Sequence, residues 1–188
     1  MMQDDIKKAV EVLQKGGTIL YPTDTIWGIG CDATNAKAVE KIYKLKFGAP
    51  QKSLMILASS PEMVARYVAE VPDLALEIIS TIKDPITIVY EKARNLAKNL
   101  IPAEGTIAIR IPRDAFCTEL IELFGKPITS TSANLAGDPN PLSFGKINQQ
   151  IKDAVDYICT SHQGRVNPPK PSTIVKINMD GQMQIVRN

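Results

Sequence analysis

The chain has 188 residues, 44% of them hydrophobic, and a formal net charge of +2 at pH 7. That suits one domain, residues 1–188, with a sizeable core, and the charge is too small to argue by itself for a nucleic-acid binder. No run of about 18 apolar residues is present, which excludes a helical membrane span. The acids at Asp4 and Asp5 precede any apolar stretch, so no secretion signal is read and the cytoplasm is the expected address.

Ile6, Ala9, Val10 and Leu13 fall on one face of a helix that Gly16-Gly17 should stop. Thr18-Ile-Leu20 then leads into Tyr21-Pro-Thr-Asp-Thr-Ile-Trp-Gly-Ile-Gly-Cys-Asp-Ala33. This stretch crowds hydroxyls, a carboxylate and two glycines into a pattern too irregular for an ordinary strand or helix. It reads as a strand end opening into a pocket wall, with Gly28 and Gly30 allowing close backbone approach. A plain turn with a bulge reads equally well from these residues alone.

Asn35 is positioned to cap a second helix with Val39, Ile42 and Tyr43 buried and Lys37, Lys41 and Lys44 solvated. The helix should run out near Lys46, in a loop that also carries Lys52; solvent exposure is the ordinary expectation for both lysines. Leu54–Ala58 reads as a strand, and Ser60-Pro61 starts a helix through Tyr67. Pro72 opens another helix carrying Leu74, Ile78 and Ile79. Ile86–Tyr90 is a strand by its β-branched content.

Thr106–Ile111 is a further strand that puts Thr106, Ala108 and Arg110 on one face. An arginine there is costly unless paired, so Arg110 either meets a protein carboxylate or waits for an anionic ligand. Phe116, Leu120, Leu123 and Phe124 make a helix stripe that Gly125 closes. A second hydroxyl cluster follows in Pro127-Ile-Thr-Ser-Thr-Ser-Ala-Asn134, and two such clusters in a small domain favour a shared pocket over two turns. Beyond the loop at 136–141 come a short helix capped by Ser143, strands at 157–159 and 172–177, and a turn at Asp180-Gly181 into a closing strand, 184–187.

The alternation predicts an α/β fold with a twisted mixed parallel and antiparallel sheet and flanking helices. There is no GxGxxG and no GxxxxGK[ST], so any nucleotide must be held in another way. Cys31, Cys117 and Cys159 are widely spaced without a CxxC pair, which suggests buried small hydrophobes rather than a disulfide framework or a zinc site. His162 is the single histidine, which excludes His-pair metal sites and disfavours a Ser-His-Asp triad.

Tyr21-Pro-Thr-Asp-Thr25 with Gly28 and Gly30, Ile42-Tyr43 followed by Lys46, Thr106 to Arg110, Ser130-Thr-Ser-Ala-Asn134, Ser172-Thr173 and Arg187 form an ordered set across nearly the whole chain. In this set the sequence resembles the YrdC family of threonylcarbamoyl-AMP synthases. The resemblance implies that L-threonine, bicarbonate or CO2, and ATP are converted to threonylcarbamoyl-AMP and pyrophosphate, for a partner that modifies A37 of tRNA. It also implies Mg²⁺ on the phosphates, leaves room for direct contact with tRNA, and includes no membrane.

By the same resemblance, Thr25, Arg110, Ser130 and Ser172 would hold threonine. Lys46, Lys52, Thr106, Ser132, Asn134, Asn140 and Arg187 would surround ATP. No catalytic base is implied; Lys46, Ser132 and Asn134 are the residues nearest to a catalytic role. The chain departs from the family pattern at Gly48, where an arginine is expected, and at Leu57, a position often held by histidine. A YrdC-like nucleotide- or RNA-binding protein without synthase activity is the rival expectation.

Overall fold

The computed structural model describes residues 1–47, 54–166 and 171–187. In chain order the elements begin with helix α1 (Met2–Gln14), strands β1 (Ile19–Tyr21) and β2 (Gly28–Gly30), helix α2 (Ala36–Phe47) and β3 (Met55–Leu57). Then follow α3 (Pro61–Tyr67), α4 (Asp73–Thr81), β4 (Ile86–Tyr90), β5 (Ile107–Arg110), α5 (Ala115–Phe124) and β6 (Ile128–Ser132). A 3-10 turn (Phe144–Lys146), α6 (Gln149–Ala154), β7 (Tyr157–Ile158), β8 (Thr173–Ile177) and β9 (Met183–Arg187) complete them.

The described strands form one nine-stranded sheet in the order β7-β1-β2-β6-β3-β5-β4-β8-β9. Three pairings are parallel, β1 with β7, β3 with β5 and β4 with β8, and the others are antiparallel. The mixed α/β sheet expected from the alternation is therefore present. No helix among the described residues is long and apolar enough to cross a membrane.

Local signals act where the side-chain chemistry requires. Asn35 Oδ1 accepts from the amides of Lys37 and Ala38 at 3.0 and 3.2 Å, satisfying two of the donors that open α2. Asp114 does the same for α5 through the Cys117 amide at 2.8 Å, and Gly125 ends that helix in the left-handed conformation at φ +77°. Pro72 precedes α4 as its cap rather than forming its first residue.

The core is continuous from α1 through the sheet. Ile6, Ala9 and Leu13 are fully buried, and α1 packs against α5. On α5 the buried stripe is Phe116, Cys117, Leu120, Ile121 and Phe124, whereas Leu123, expected inside, is exposed. The stripe thus extends to Cys117 and Ile121, and Leu123 lies at its other edge, near Phe116 in angle but on the margin open to solvent. All three cysteines are buried and free, as small hydrophobes. At the short helical turn, Ser143 makes no side-chain cap; Asn148 caps α6 instead, accepting from the Gln150 amide at 2.9 Å.

Candidate functional site

The Tyr21–Ala33 stretch forms an antiparallel pair of short strands joined through Pro22–Trp27. Gly28-Ile-Gly30 is strand β2, not irregular chain, and it lies between β1 and β6. A side chain at Gly30 would put its Cβ 2.3 Å from the Thr129 carbonyl oxygen and 2.9 Å from Tyr21 Cε1. The close approach that Gly30 permits is therefore to the protein's own backbone. Gly28 is less confined, with a Cβ position 3.2 Å from Tyr21 Cζ and 3.4 Å from Ser130 Oγ.

Cross-strand register lines up the polar positions. Gly28 pairs with Ser132, Met55 with Ser130, Thr87 with Arg110 and with Ile174, and Ile174 with Arg187. Directly paired residues share a face, so one face of the sheet carries the hydroxyls and the guanidinium groups together. They line a cleft of about 270 Å³. Thr25, Arg110, Ser130, Ser132, Asn140, Ser172 and Arg187, drawn from across the chain, all border it.

Arg110 lies at its base, 3% exposed. Its Nη1 donates to Asp24 Oδ1, and the Arg113 backbone amide donates to Asp24 Oδ2 at 3.1 Å. The Arg110 Nε is buried and has no hydrogen-bond partner among the described residues. Of the two alternatives read from the strand pattern, the protein carboxylate is present, on one edge of the guanidinium. Burial pushes the neighbouring Asp114 carboxyl up; the Cys117 amide opposes this and the Asp24 charge adds to it.

Around Arg110 the hydroxyls are oriented by their own bonds. Thr23 Oγ1 accepts from the Thr25 amide at 3.0 Å and donates to the Ile26 carbonyl at 2.7 Å. With that proton committed, Thr25 is the donor in the 3.1 Å contact between the two hydroxyls, leaving Thr25 Oγ1 lone pairs as acceptors. Ser172 Oγ lies 2.7 Å from Thr87 Oγ1, and Arg187 Nη2 donates to the Ser172 carbonyl at 3.0 Å. Thr25, Ser130 and Ser172 are 5–6% exposed, so their polar groups are nearly withdrawn from water.

Lys46 and Asn134 stand behind the cleft rather than on its lining. Lys46 is 6% exposed, against the ordinary expectation for a lysine. Its ammonium donates to the Ser132 carbonyl at 2.7 Å, to Asn134 Oδ1 at 2.9 Å and to the Asn134 carbonyl. Ser132 Oγ also donates to Asn134 Oδ1, and Asn134 Nδ2 donates to the Asp138 carbonyl at 2.6 Å. The end of α2 is thereby tied to the end of β6. Thr106 lies outside the lining, its hydroxyl donating to Glu104 at 3.4 Å. Lys52 and Gly48 lie outside the described residues, and Leu57 is fully buried in β3 beside Arg110.

Two contributors escaped the sequence reading. Asp24 sits inside the Pro-Thr-Asp-Thr run, and the need of Arg110 for a carboxylate was a signal for it. Thr87 carried none, being one polar residue within a β-branched strand.

A mixed sheet with one face opened into a cleft, whose charged lining among the described residues is two arginines, defines an α/β protein suited to a small ligand bearing negative charge. The family model of Sua5, YciO and YrdC proteins, described as telomere recombination, matches residues 11–188. The chain belongs to this Sua5/YciO/YrdC family. It is 35% identical over 184 residues to the threonylcarbamoyl-AMP synthase of Pseudoalteromonas translucida, covering 96% of this chain and 97% of that one. The crystal structure of P. abyssi Sua5 complexed with L-threonine superposes with a TM-score of 0.83 at 26% identity, covering 92% of this chain and 50% of that one. E. coli YciO does so with a TM-score of 0.85 at 25% identity, covering 99% of this chain and 89% of that one. The chain thus spans about half the length of Sua5.

Proposed function

We propose that this chain is a threonylcarbamoyl-AMP synthase, acting in the cytoplasm as one YrdC-like domain. It joins L-threonine, bicarbonate and ATP into threonylcarbamoyl-AMP, pyrophosphate and water, supplying the group that a partner enzyme transfers to A37 of tRNA. Support comes from a relative of that name matching nearly end to end, and from a family member crystallised with L-threonine. The observation that carries the reading is Arg110: a nearly buried guanidinium on the lining of the cleft, held on one side by Asp24.

In this reading the threonine carboxylate sits on Arg110, a geometry that guanidinium groups favour. Thr25, Ser130 and Ser172 surround its polar groups. The amine takes up CO2, loses a proton and becomes a carbamate. A carbamate oxygen then attacks the α-phosphorus of ATP and pyrophosphate departs. The carbamate is already an anionic nucleophile, so the protein's share is position, charge neutralisation and exclusion of water. Ser132, Asn140 and Arg187 face the phosphates, while Lys46 and Asn134 hold the strand end that presents Ser132.

Mg²⁺ does not fit as an ion caged by the protein. Among the described residues no carboxylate lines the cleft, and no group of three or more His, Cys, Asp or Glu side chains is placed to hold a metal. The lining suits Mg²⁺ only as a companion of the nucleotide's own phosphates.

The test is pyrophosphate release from ATP, with threonylcarbamoyl-AMP followed by mass spectrometry. Release that requires both threonine and bicarbonate is expected. ATP binding without such release would replace this reading with that of a nucleotide- or RNA-binding relative.

A further inference from the structure

A second hollow, of about 210 Å³, lies on the opposite face of the sheet from the cleft. Alternation along β4 and β5 separates the two: Thr87, Ala108 and Arg110 face one way, Ile88, Tyr90 and Ile109 the other. Val64 of α3 joins Ile88, Tyr90 and Ile109 in a buried floor. The half-buried Ile79, Ile86 and Ile111 border it toward solvent, together with the exposed Arg113.

Its two polar groups are not used up by the fold. Tyr90 is 1% exposed, and its hydroxyl has no hydrogen-bond partner among the described residues. Burial pushes that phenol up, so it stays a neutral donor. Arg113 spends Nη2 on the carbonyls of Ile79, at 2.9 Å, and Ile82, which fixes the guanidinium beside the hollow. Its Nε and Nη1 have no partner among the described residues. An apolar chamber with a few placed polar groups is the usual make-up of a small-molecule site.

We propose that this hollow binds a small carboxylic acid with a compact apolar body and one hydrogen-bonding group at its far end. The carboxylate meets Arg113, the body lies among the isoleucines, and the far group meets Tyr90. Since a cavity of about 150 Å³ takes benzene, this one takes a body of about eight heavy atoms. A hydroxyphenyl ring with one methylene has that size. The inference does not depend on the synthase reading, because it is tested by binding and not by turnover.

The probe is 4-hydroxyphenylacetate, titrated into the full chain carrying labelled isoleucine and valine methyl groups. Saturable shifts at Val64, Ile79, Ile88 and Ile109 are expected. The uncharged 4-hydroxyphenylacetamide should bind about tenfold more weakly, and phenylacetate about threefold more weakly. Arg113→Gln should erase the first difference and Tyr90→Phe the second; Tyr90→Phe keeps the ring, Arg113→Gln keeps a shorter polar side chain, and thermal melts confirm folding. Methyl groups that stay unmoved would overturn the proposal. So would shifts at Ile26 and Ile174 of the cleft instead, or preferences that neither variant alters.

Discussion

Asp24 and Arg110, 86 positions apart in the chain, form an ion pair at the base of the cleft with side chains only 14% and 3% exposed. The carboxylate takes one guanidinium nitrogen with one oxygen and the Arg113 amide with the other, so it sets where Arg110 stands. Asp24→Asn keeps the shape and removes the charge. Removing one partner of a buried pair costs roughly 3–5 kcal/mol; the partial exposure of Asp24 brings the expected loss to about 2 kcal/mol. Chemical denaturation measures it, and unchanged stability would show that Arg110 does not need the pair.

Arg110→Ala tests the other side of that guanidinium. In the proposed function the lost contact is to the threonine carboxylate, and hydrogen bonds to charged groups contribute about 1.5–3 kcal/mol, so the threonine KM should rise about 10- to 100-fold. The ATP KM should move far less. Arg110→Lys should recover little, because an ammonium cannot serve Asp24 and a carboxylate with a planar fork. Equal effects on the two substrates would contradict the assignment.

The two glycines of β2 should separate fold from function. Gly30→Ala drives a methyl into the Thr129 carbonyl at 2.3 Å, where backbone must move, and a loss of about 3 kcal/mol or more is expected. Gly28→Ala meets its neighbours at 3.2–3.4 Å and should fold, but with weaker substrate binding in a narrowed cleft. Melting temperatures and KM values distinguish the two outcomes.

Lys46→Met leaves the Ser132 and Asn134 carbonyls without their shared donor. The end of β6 loosens, and the expected reading is an ATP KM raised about tenfold with a small change in that for threonine. A threonine-selective effect would move Lys46 to the amino-acid side.

Asp5 predicts a pH dependence away from the site. Burial, the largest influence, would raise its pKa, but bonds from Ser161, Tyr157 and Thr160 outweigh it and leave the carboxyl below its ordinary 3.8. A depressed folded-state pKa gives stability that is present above 3.8 and lost as the pH falls through the folded value. Asp5→Asn should therefore be less stable than wild type at neutral pH, with the gap closing in acid. A gap that stays constant with pH would remove Asp5 as its source.

Much of this was legible from local pattern. Alternation in β5 placed Ala108 and Arg110 on one face, and both line the cleft. The two hydroxyl clusters did converge, bringing Thr25, Ser130 and Ser132 to one hollow. What escaped depends on partners distant in the chain. Gly28–Gly30 is a strand only because β1 and β6 lie on either side of it, and Lys46 is buried where Ser132 and Asn134 offer it three acceptors. Thr106 shares the face of Arg110, yet sits beyond the cleft's edge with Glu104, since strand pattern gives the face and not the extent of a hollow.

The most direct measurement is a structure with L-threonine and an unreactive ATP analogue bound together. The threonine carboxylate is expected on Arg110, its polar groups among Thr25, Ser130 and Ser172, and the triphosphate toward Ser132, Asn140 and Arg187. Phosphate on Arg110, or threonine bound away from this cleft, would contradict it.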